Sequence, residues 1–166
     1  GSAAPYFYGS LGTSFRYGDW RLSADLGISL GNRAYNAARR QTESMDRFYN
    51  QSVAVLNRWQ IEGQEASMPR AAYGDPSGNN LFSDRWIENA SYLKLRRVAL
   101  SYALSKDLLR YMDGQVWVAA ENLWSLSNYL GADPEFYYSY AEALRGFDYA
   151  KVGSPVTFKV GVNLNF

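Results

Sequence analysis

The stretch Trp20-Arg21-Leu22-Ser23-Ala24-Asp25-Leu26-Gly27-Ile28-Ser29-Leu30-Gly31 decides the fold class. Trp20, Leu22, Ala24, Leu26, Ile28 and Leu30 alternate with Arg21, Ser23, Asp25, Gly27, Ser29 and Gly31. A period of two puts successive side chains on opposite faces of a strand. The polar face carries Arg21 and Asp25, which are expensive against lipid but ordinary against a water-filled lumen. Taken alone, the pattern also fits a half-buried soluble hairpin. Just upstream, Gly18-Asp19 supplies a tight turn. Before that turn Phe7, Leu11, Phe15 and Tyr17 share one face, while Tyr8, Ser10, Ser14 and Arg16 take the other.

Composition separates the two readings. The chain has 166 residues with 14 Tyr, 5 Trp, 8 Phe and 14 Gly, yet its mean hydropathy is only -0.36. Alternating apolar and polar positions with aromatics gathered at two interfaces give that mixture in a transmembrane β-barrel. No apolar run approaches the roughly 20 residues of a spanning helix. If the chain crosses a bilayer it does so as part of a closed barrel, because backbone groups must be paired inside lipid. A formal charge of +1 with scattered basic residues gives no reason to expect nucleic acid as a partner. The absence of Cys and His excludes thiolate and imidazole metal sites, disulfides and Ser-His-Asp triads within this chain. Gly1-Ser2-Ala3-Ala4-Pro5 has none of the features of a secretory signal, so a removed signal or a downstream piece is expected.

Beyond Gly31 the alternation stops for longer than a usual connection. Met45, Phe48, Tyr49, Ser52 and Leu56 recur at three and four, and predict a short amphipathic helix over Thr42 to Leu56. From Gly63 to Asn80 the breakers Pro69, Gly74, Pro76 and Gly78 argue against regular structure. A strand over Ser91 to Leu104 carries Val98, Leu100, Tyr102 and Leu104 on one face, but Leu93 and Leu95 fall on the opposite parity. A bulge near Arg96-Arg97, or a strand rising above the membrane, accounts for the switch. Another strand runs from Gln115 to about Ser127 with Val116, Val118, Ala120, Trp124 and Leu126 on one parity. Asn122 shares that parity, which makes its exposure to lipid doubtful. After a loop from Asn128 to Pro155, Val156, Phe158, Val160, Val162, Leu164 and Phe166 alternate with Thr157, Lys159, Gly161, Asn163 and Asn165.

The connections, read backwards, run long, short, long, short, as a periplasmic C-terminus requires of a bacterial barrel. About five strands fit, too few to close a barrel that needs about eight or more, so other strands must come from upstream. The first strand then descends, and residue 1 is expected on the extracellular side. Arg16, Arg21, Asp25 and Lys159 are expected to face the lumen. In the last long loop, Asp133, Glu135, Glu142 and Asp148 raise the possibility of paired carboxylates for glycosidic hydrolysis, which need acids about 5 to 9.5 Å apart. A solvated rim is the simpler account, and no catalytic, metal or cofactor set is expected. Tyr137, Tyr138, Tyr140 and Phe147 are the candidate extracellular contacts, whether by stacking on a sugar, by packing or by meeting a partner protein.

Several segments together resemble the SusC/RagA class of TonB-dependent transporters. Gly31-Asn32-Arg33-Ala34-Tyr35-Asn36, then Arg58-Trp59, Gly63 and Pro69-Arg70, are similar to a late extracellular region of that family. Ser83-Asp84-Arg85-Trp86-Ile87-Glu88-Asn89-Ala90-Ser91-Tyr92-Leu93-Lys94-Leu95-Arg96 resembles its S-D-R-φ-φ-E-x-x-S-Y-L-[RK]-L-[RK] motif. Glu121-Asn122-Leu123-Trp124, Gly131-Ala132-Asp133-Pro134-Glu135 and Thr157 to Leu164 resemble its x-N-L-[FW], G-x-D-P-E and closing-strand motifs. Each is weak alone; their order spans nearly the whole chain. Gly146 to Pro155 departs from the family's Pro-x-x-Arg approach, so no Arg contact is carried over there.

The resemblance implies an all-β fold: C-terminal strands of a transmembrane antiparallel β-barrel of about 22 strands, with long extracellular loops, one containing a short helix. Residues 1–166 would be the C-terminal part of that barrel domain. It further implies uptake of oligosaccharides or peptides with a SusD-like surface lipoprotein, driven by TonB through a plug on the upstream chain. The location would be the outer membrane of a Gram-negative bacterium of the Bacteroidota, and Phe166, with Phe158, would resemble the barrel-assembly signal. The competing expectation is a β-rich ligand-binding or adhesion module. The clean alternation of the last strand and the loop rhythm favour the barrel.

Overall fold

The structure is a computed structural model and describes residues 1–104, 113–136 and 144–165. Five long strands form one antiparallel sheet. β1 (Phe7–Tyr17) and β2 (Trp20–Leu30) are joined by the two-residue turn Gly18-Asp19, where Gly18 takes a φ of 57° that a side chain would resist. β5 (Tyr92–Leu104), β6 (Asp113–Ser127) and β8 (Thr157–Asn165) complete the order β1-β2-β5-β6-β8. The four strands β1, β2, β5 and β6 have 11, 11, 13 and 15 residues. A tilted transmembrane strand needs about 9 to 11.

Register fixes the faces. Leu11 pairs with Leu26, Phe15 with Leu22, Leu22 with Leu100, Leu100 with Val118 and Val118 with Val160, a continuous apolar row across all five strands. The bulge expected near Arg96-Arg97 is present: Asp25 opposes Arg97 while Leu26 opposes Leu95, so Arg96 is the extra residue. It moves Leu93 and Leu95 onto the apolar face. β6 answers with its own irregularity, because Leu95 faces Trp124 while Arg97 faces Glu121. Asn122 sits in that step with φ 56°, and its amide donates to Pro155 O at 3.1 Å instead of lying in the apolar row.

The long connections build a second layer at one end. A small sheet β4-β3-β7 combines β3 (Arg33–Asn36), β4 (Ile87–Asn89) and β7 (Phe147–Asp148). The sequence pattern did not predict these strands, which are too short to show alternation. Chain segments near residue 1 lie against the same layer, Arg33 N donating to Ser2 O at 2.8 Å. The helix is displaced from its expected place: α1 covers Ala37–Thr42, and only a 3₁₀ turn, Val53–Asn57, falls near the end of the expected span. Asn36 starts α1 by accepting from Arg39 N at 2.8 Å. Met45 at φ 52° prevents its continuation. Of the apolar recurrence only Met45 is buried, in a cluster with Val55 and Met68, while Phe48, Tyr49 and Leu56 are exposed. Gly63 to Asn80 is irregular as expected, apart from a bridge between Arg58 and Met68.

Burial is uneven. Among the described residues, every buried apolar side chain except Ala119 belongs to the second layer. The apolar row of the large sheet lies open, with Phe158 77%, Val160 80% and Phe15 67% exposed. The core of this chain is in its loops, and its main sheet has an apolar face covered by none of the described residues.

Candidate functional site: the loop layer and the polar face

Two motifs distant in sequence meet where β5 enters the second layer. Lys94 is 3% exposed and its ammonium lies 3.1 Å from Asp133 Oδ2 and 3.1 Å from Glu135 Oε2. Arg96 pairs with Glu135, and its side chain crosses Gly27, where even a Cβ would collide with the guanidinium. Asp133 also accepts from Glu135 N at 2.9 Å and Ser154 N at 3.0 Å. Burial raises the Asp133 carboxyl, but these two N–H groups and the Lys94 ammonium outweigh it and hold the carboxyl below its ordinary range. The loop is thereby fastened over the polar face of the sheet.

Glu88, on β4, is the second node. Its Oε1 accepts from Arg39 Nη1 at 3.0 Å and Asn36 Nδ2 at 3.3 Å, and its Oε2 accepts from Leu130 N at 2.9 Å. Arg39 also reaches Glu43 at 3.0 Å. Trp86 is fully buried beside them, with the guanidinium of Arg85 4.4 Å and that of Arg39 5.8 Å from its ring centre. The third node is Asp148, 2% exposed, which accepts from Tyr129 OH at 2.6 Å and Lys151 N at 3.1 Å. Burial, then the Asp148 carboxylate, push the Tyr129 phenol upward, so it remains a donor.

These contacts correct the expectation of a solvated acidic rim. Asp133, Glu135 and Asp148 are internal anchors, each engaged by a cation or hydrogen-bond donors. Glu142 lies outside the described residues, as do Tyr137, Tyr138, Tyr140 and Phe166. Phe147 is described, half-buried in an aromatic group with Tyr35, Phe82 and Tyr149. Sequence reasoning missed Glu88, Asn36 and Lys94 as partners of the last loop. Asn36 three residues before Arg39, at a helix start, was the one local signal available.

On the large sheet, Arg16, Arg21, Asp25 and Lys159 share the polar face. Arg16 lies directly opposite Arg21, its guanidinium donating to Gly18 O at 3.1 Å. Asp25 opposes Arg97, Arg97 opposes Glu121, and Lys159 reaches Glu121 at 2.7 Å. Charges of alternating sign thus cross four strands, Asp25, Arg97 and Glu121 in one row and Lys159 diagonally from the next, an arrangement that stabilises cross-strand pairing by about 0.2–1 kcal/mol per pair. Trp117 opposes Gly161 on the same face and occupies the space a side chain there would fill. Phe158 points to the opposite, apolar side, in register with Ala120.

No family model matches the chain. A TonB-dependent receptor, P3, of Formosa agariphila is 24% identical over 174 residues, covering 100% of this chain and 17% of that protein. The TonB-dependent receptor SusC of Bacteroides thetaiotaomicron is 25% identical over 165 residues, covering 94% of this chain and 15% of that protein. The chain is homologous to a segment of the TonB-dependent receptors. Its fold agrees: the structure of the RagAB peptide transporter superimposes with a TM-score of 0.82 at 24% identity, over 99% of this chain and 18% of that one. The RagAB peptide importer in its open-open state gives 0.81 over 98% of this chain. The chain spans under a fifth of the length of the relatives it matches.

Proposed function

We propose that residues 1–166 form the C-terminal part of the barrel of an outer-membrane TonB-dependent importer in a member of the Bacteroidota, in a barrel of about 22 strands. The substrate is an oligosaccharide or a peptide, delivered by a SusD-like lipoprotein seated on the loop layer. TonB acts through a plug carried by the upstream part of the receptor. Arg16, Arg21, Asp25 and Lys159 face the lumen, and Phe158 and Phe166 belong to the signal read during barrel assembly.

The observation that carries this reading is the large sheet itself. It exposes a continuous apolar row on one side, an alternating charged row on the other, and hydrogen-bonding edges at β1 and β8. In water such a sheet is an aggregation hazard; in lipid, closed by further strands, it is satisfied. Homology over the full chain to TonB-dependent receptors supports the same reading.

The test is purification from outer membranes in mild detergent, with mass spectrometry of every chain that stays bound. Upstream receptor sequence and a SusD-like lipoprotein are expected. Recovery of this chain alone from the soluble fraction would overturn the assignment in favour of a β-rich binding module.

A further inference from the structure

The loop layer holds a cleft of about 350 Å³ with an unusual pair of walls. One wall is aromatic: Tyr35 and Phe82 stack at 4.5 Å, Phe147 lies 5.2 Å from Tyr35, and Tyr149 stacks on Phe147 at 6.2 Å. The other supplies hydrogen-bonding groups, from Arg40, Gln41 and Asn80. Tyr35 and Asn80 are both over nine-tenths buried, both line the cleft, and the Tyr35 hydroxyl and Asn80 Oδ1 have no hydrogen-bond partner. Buried polar atoms are seldom left unpaired without a reason. Asn80 is held from its other end, its Nδ2 donating to Ser44 O at 2.9 Å and Arg40 donating to its backbone O at 2.8 Å.

We infer that this cleft is a saccharide-binding subsite in which one sugar ring lies against Phe147 and Tyr149 while its hydroxyls engage the Tyr35 hydroxyl and Asn80 Oδ1. A sugar hydroxyl donates to an amide oxygen and both donates to and accepts from a phenol, so one ring can satisfy both atoms. The aromatic faces suit the apolar C–H face of a pyranose, as they suit any flat amphipathic ring. Phe82, 64% exposed, stacks on the Tyr35 ring, and ligand entry requires the side chains that shield the two oxygens to move aside. A peptide adding as an extra strand is disfavoured here because strand addition requires an open edge. The strand that carries Tyr35 is flanked on both sides, by β4 and β7.

The inference rests on the importer reading only in setting this layer on the outer surface. The complete receptor in detergent is screened on an array of plant, algal and host oligosaccharides and, separately, against a pool of tryptic peptides. Glycan binding is expected. Tyr35→Phe removes only a hydroxyl with no partner in the fold, and is expected to weaken that binding about fivefold, the worth of one hydrogen bond, with an unchanged melting temperature. Tyr149→Ala, at a half-exposed position, is expected to weaken it about tenfold through lost stacking. Tyr73→Ala, exposed elsewhere in the layer, is expected to leave it unchanged. No glycan bound, peptides bound instead, or glycan affinity indifferent to both cleft variants would each overturn the subsite. TonB-dependent uptake by cells, measured in parallel with and without TonB, tests the importer reading separately and can survive any of those results.

Discussion

Lys94 shows how one residue organises a loop without any local sign of it. In sequence it stands just before Arg96-Arg97, and a lysine on a strand gives no hint of acids some forty positions later. In the structure it is buried against Asp133 and Glu135, so its loss leaves carboxylates without their cation. Lys94→Ala is expected to weaken docking of the last loop by about 2–4 kcal/mol. Limited proteolysis of the receptor in detergent should show cleavage between Asn128 and Pro155 accelerated at least about tenfold, since cleavage tracks the open population; an unchanged rate would deny Lys94 its anchoring role. Asp133 gives the pH dependence. Its carboxyl is depressed in the folded state, so its contribution is present above the ordinary value of 3.8 and is lost as pH falls through the lower folded value. Hydrogen exchange at the Ser154 and Glu135 amides should stay slow from neutral pH down to about 4 and quicken only below it. Quickening already near pH 6 would point to another group. Tyr129→Phe removes the donor to Asp148 and is expected to cost about 1.5–3 kcal/mol, read from thermal melting of the loop layer.

At the scale of elements, what was legible followed from period. β1, β2, β5, β6 and β8 are nine or more residues long, enough for a period of two to stand out even where bulges interrupt it in β5 and β6. β3, β4 and β7 have four, three and two residues, and exist because distant segments pair, so no local pattern could announce them. The helix went to Ala37–Thr42, where Asn36 caps it, while further on Met45 packs with Val55 and Met68 and the rest of the amphipathic run, Phe48, Tyr49 and Leu56, stays exposed. The carboxylates of the last loop could be listed from sequence but not paired, because their partners Lys94, Arg96 and Tyr129 lie on other segments. Cross-strand fit on the charged face offers a direct test. A Cβ at Gly161 would collide with the rigid Trp117 ring. Gly161→Val is expected to cost about 1–3 kcal/mol by overpacking. Its measure is a lower fraction of heat-modifiable, folded barrel on electrophoresis, and an unaltered fraction would mean that Trp117 turns aside freely.

Taken together, the described residues invert the usual arrangement of a water-soluble domain, with their core in the connections and the apolar sheet face covered by none of them. Phe7, Leu11, Phe15, Trp124, Leu126, Phe158, Val160 and Val162 are each about half exposed or more, and they lie on one face of the sheet. A contiguous apolar patch of that breadth is far beyond what a soluble monomer tolerates. The strand edges at β1 and β8 add unpaired backbone groups along their whole length. Residues 1–166 produced alone without detergent are therefore expected to aggregate, and to regain β-structure in detergent micelles only together with the upstream receptor sequence that supplies strands for both edges. Size-exclusion chromatography with light scattering separates the outcomes. A monodisperse soluble monomer with a cooperative melt would mean that the apolar row is covered by a rearranged fold, and the barrel wall would have to be abandoned. Aggregation relieved by co-refolding with upstream strands, and not by detergent alone, would locate the missing stability at the two open edges.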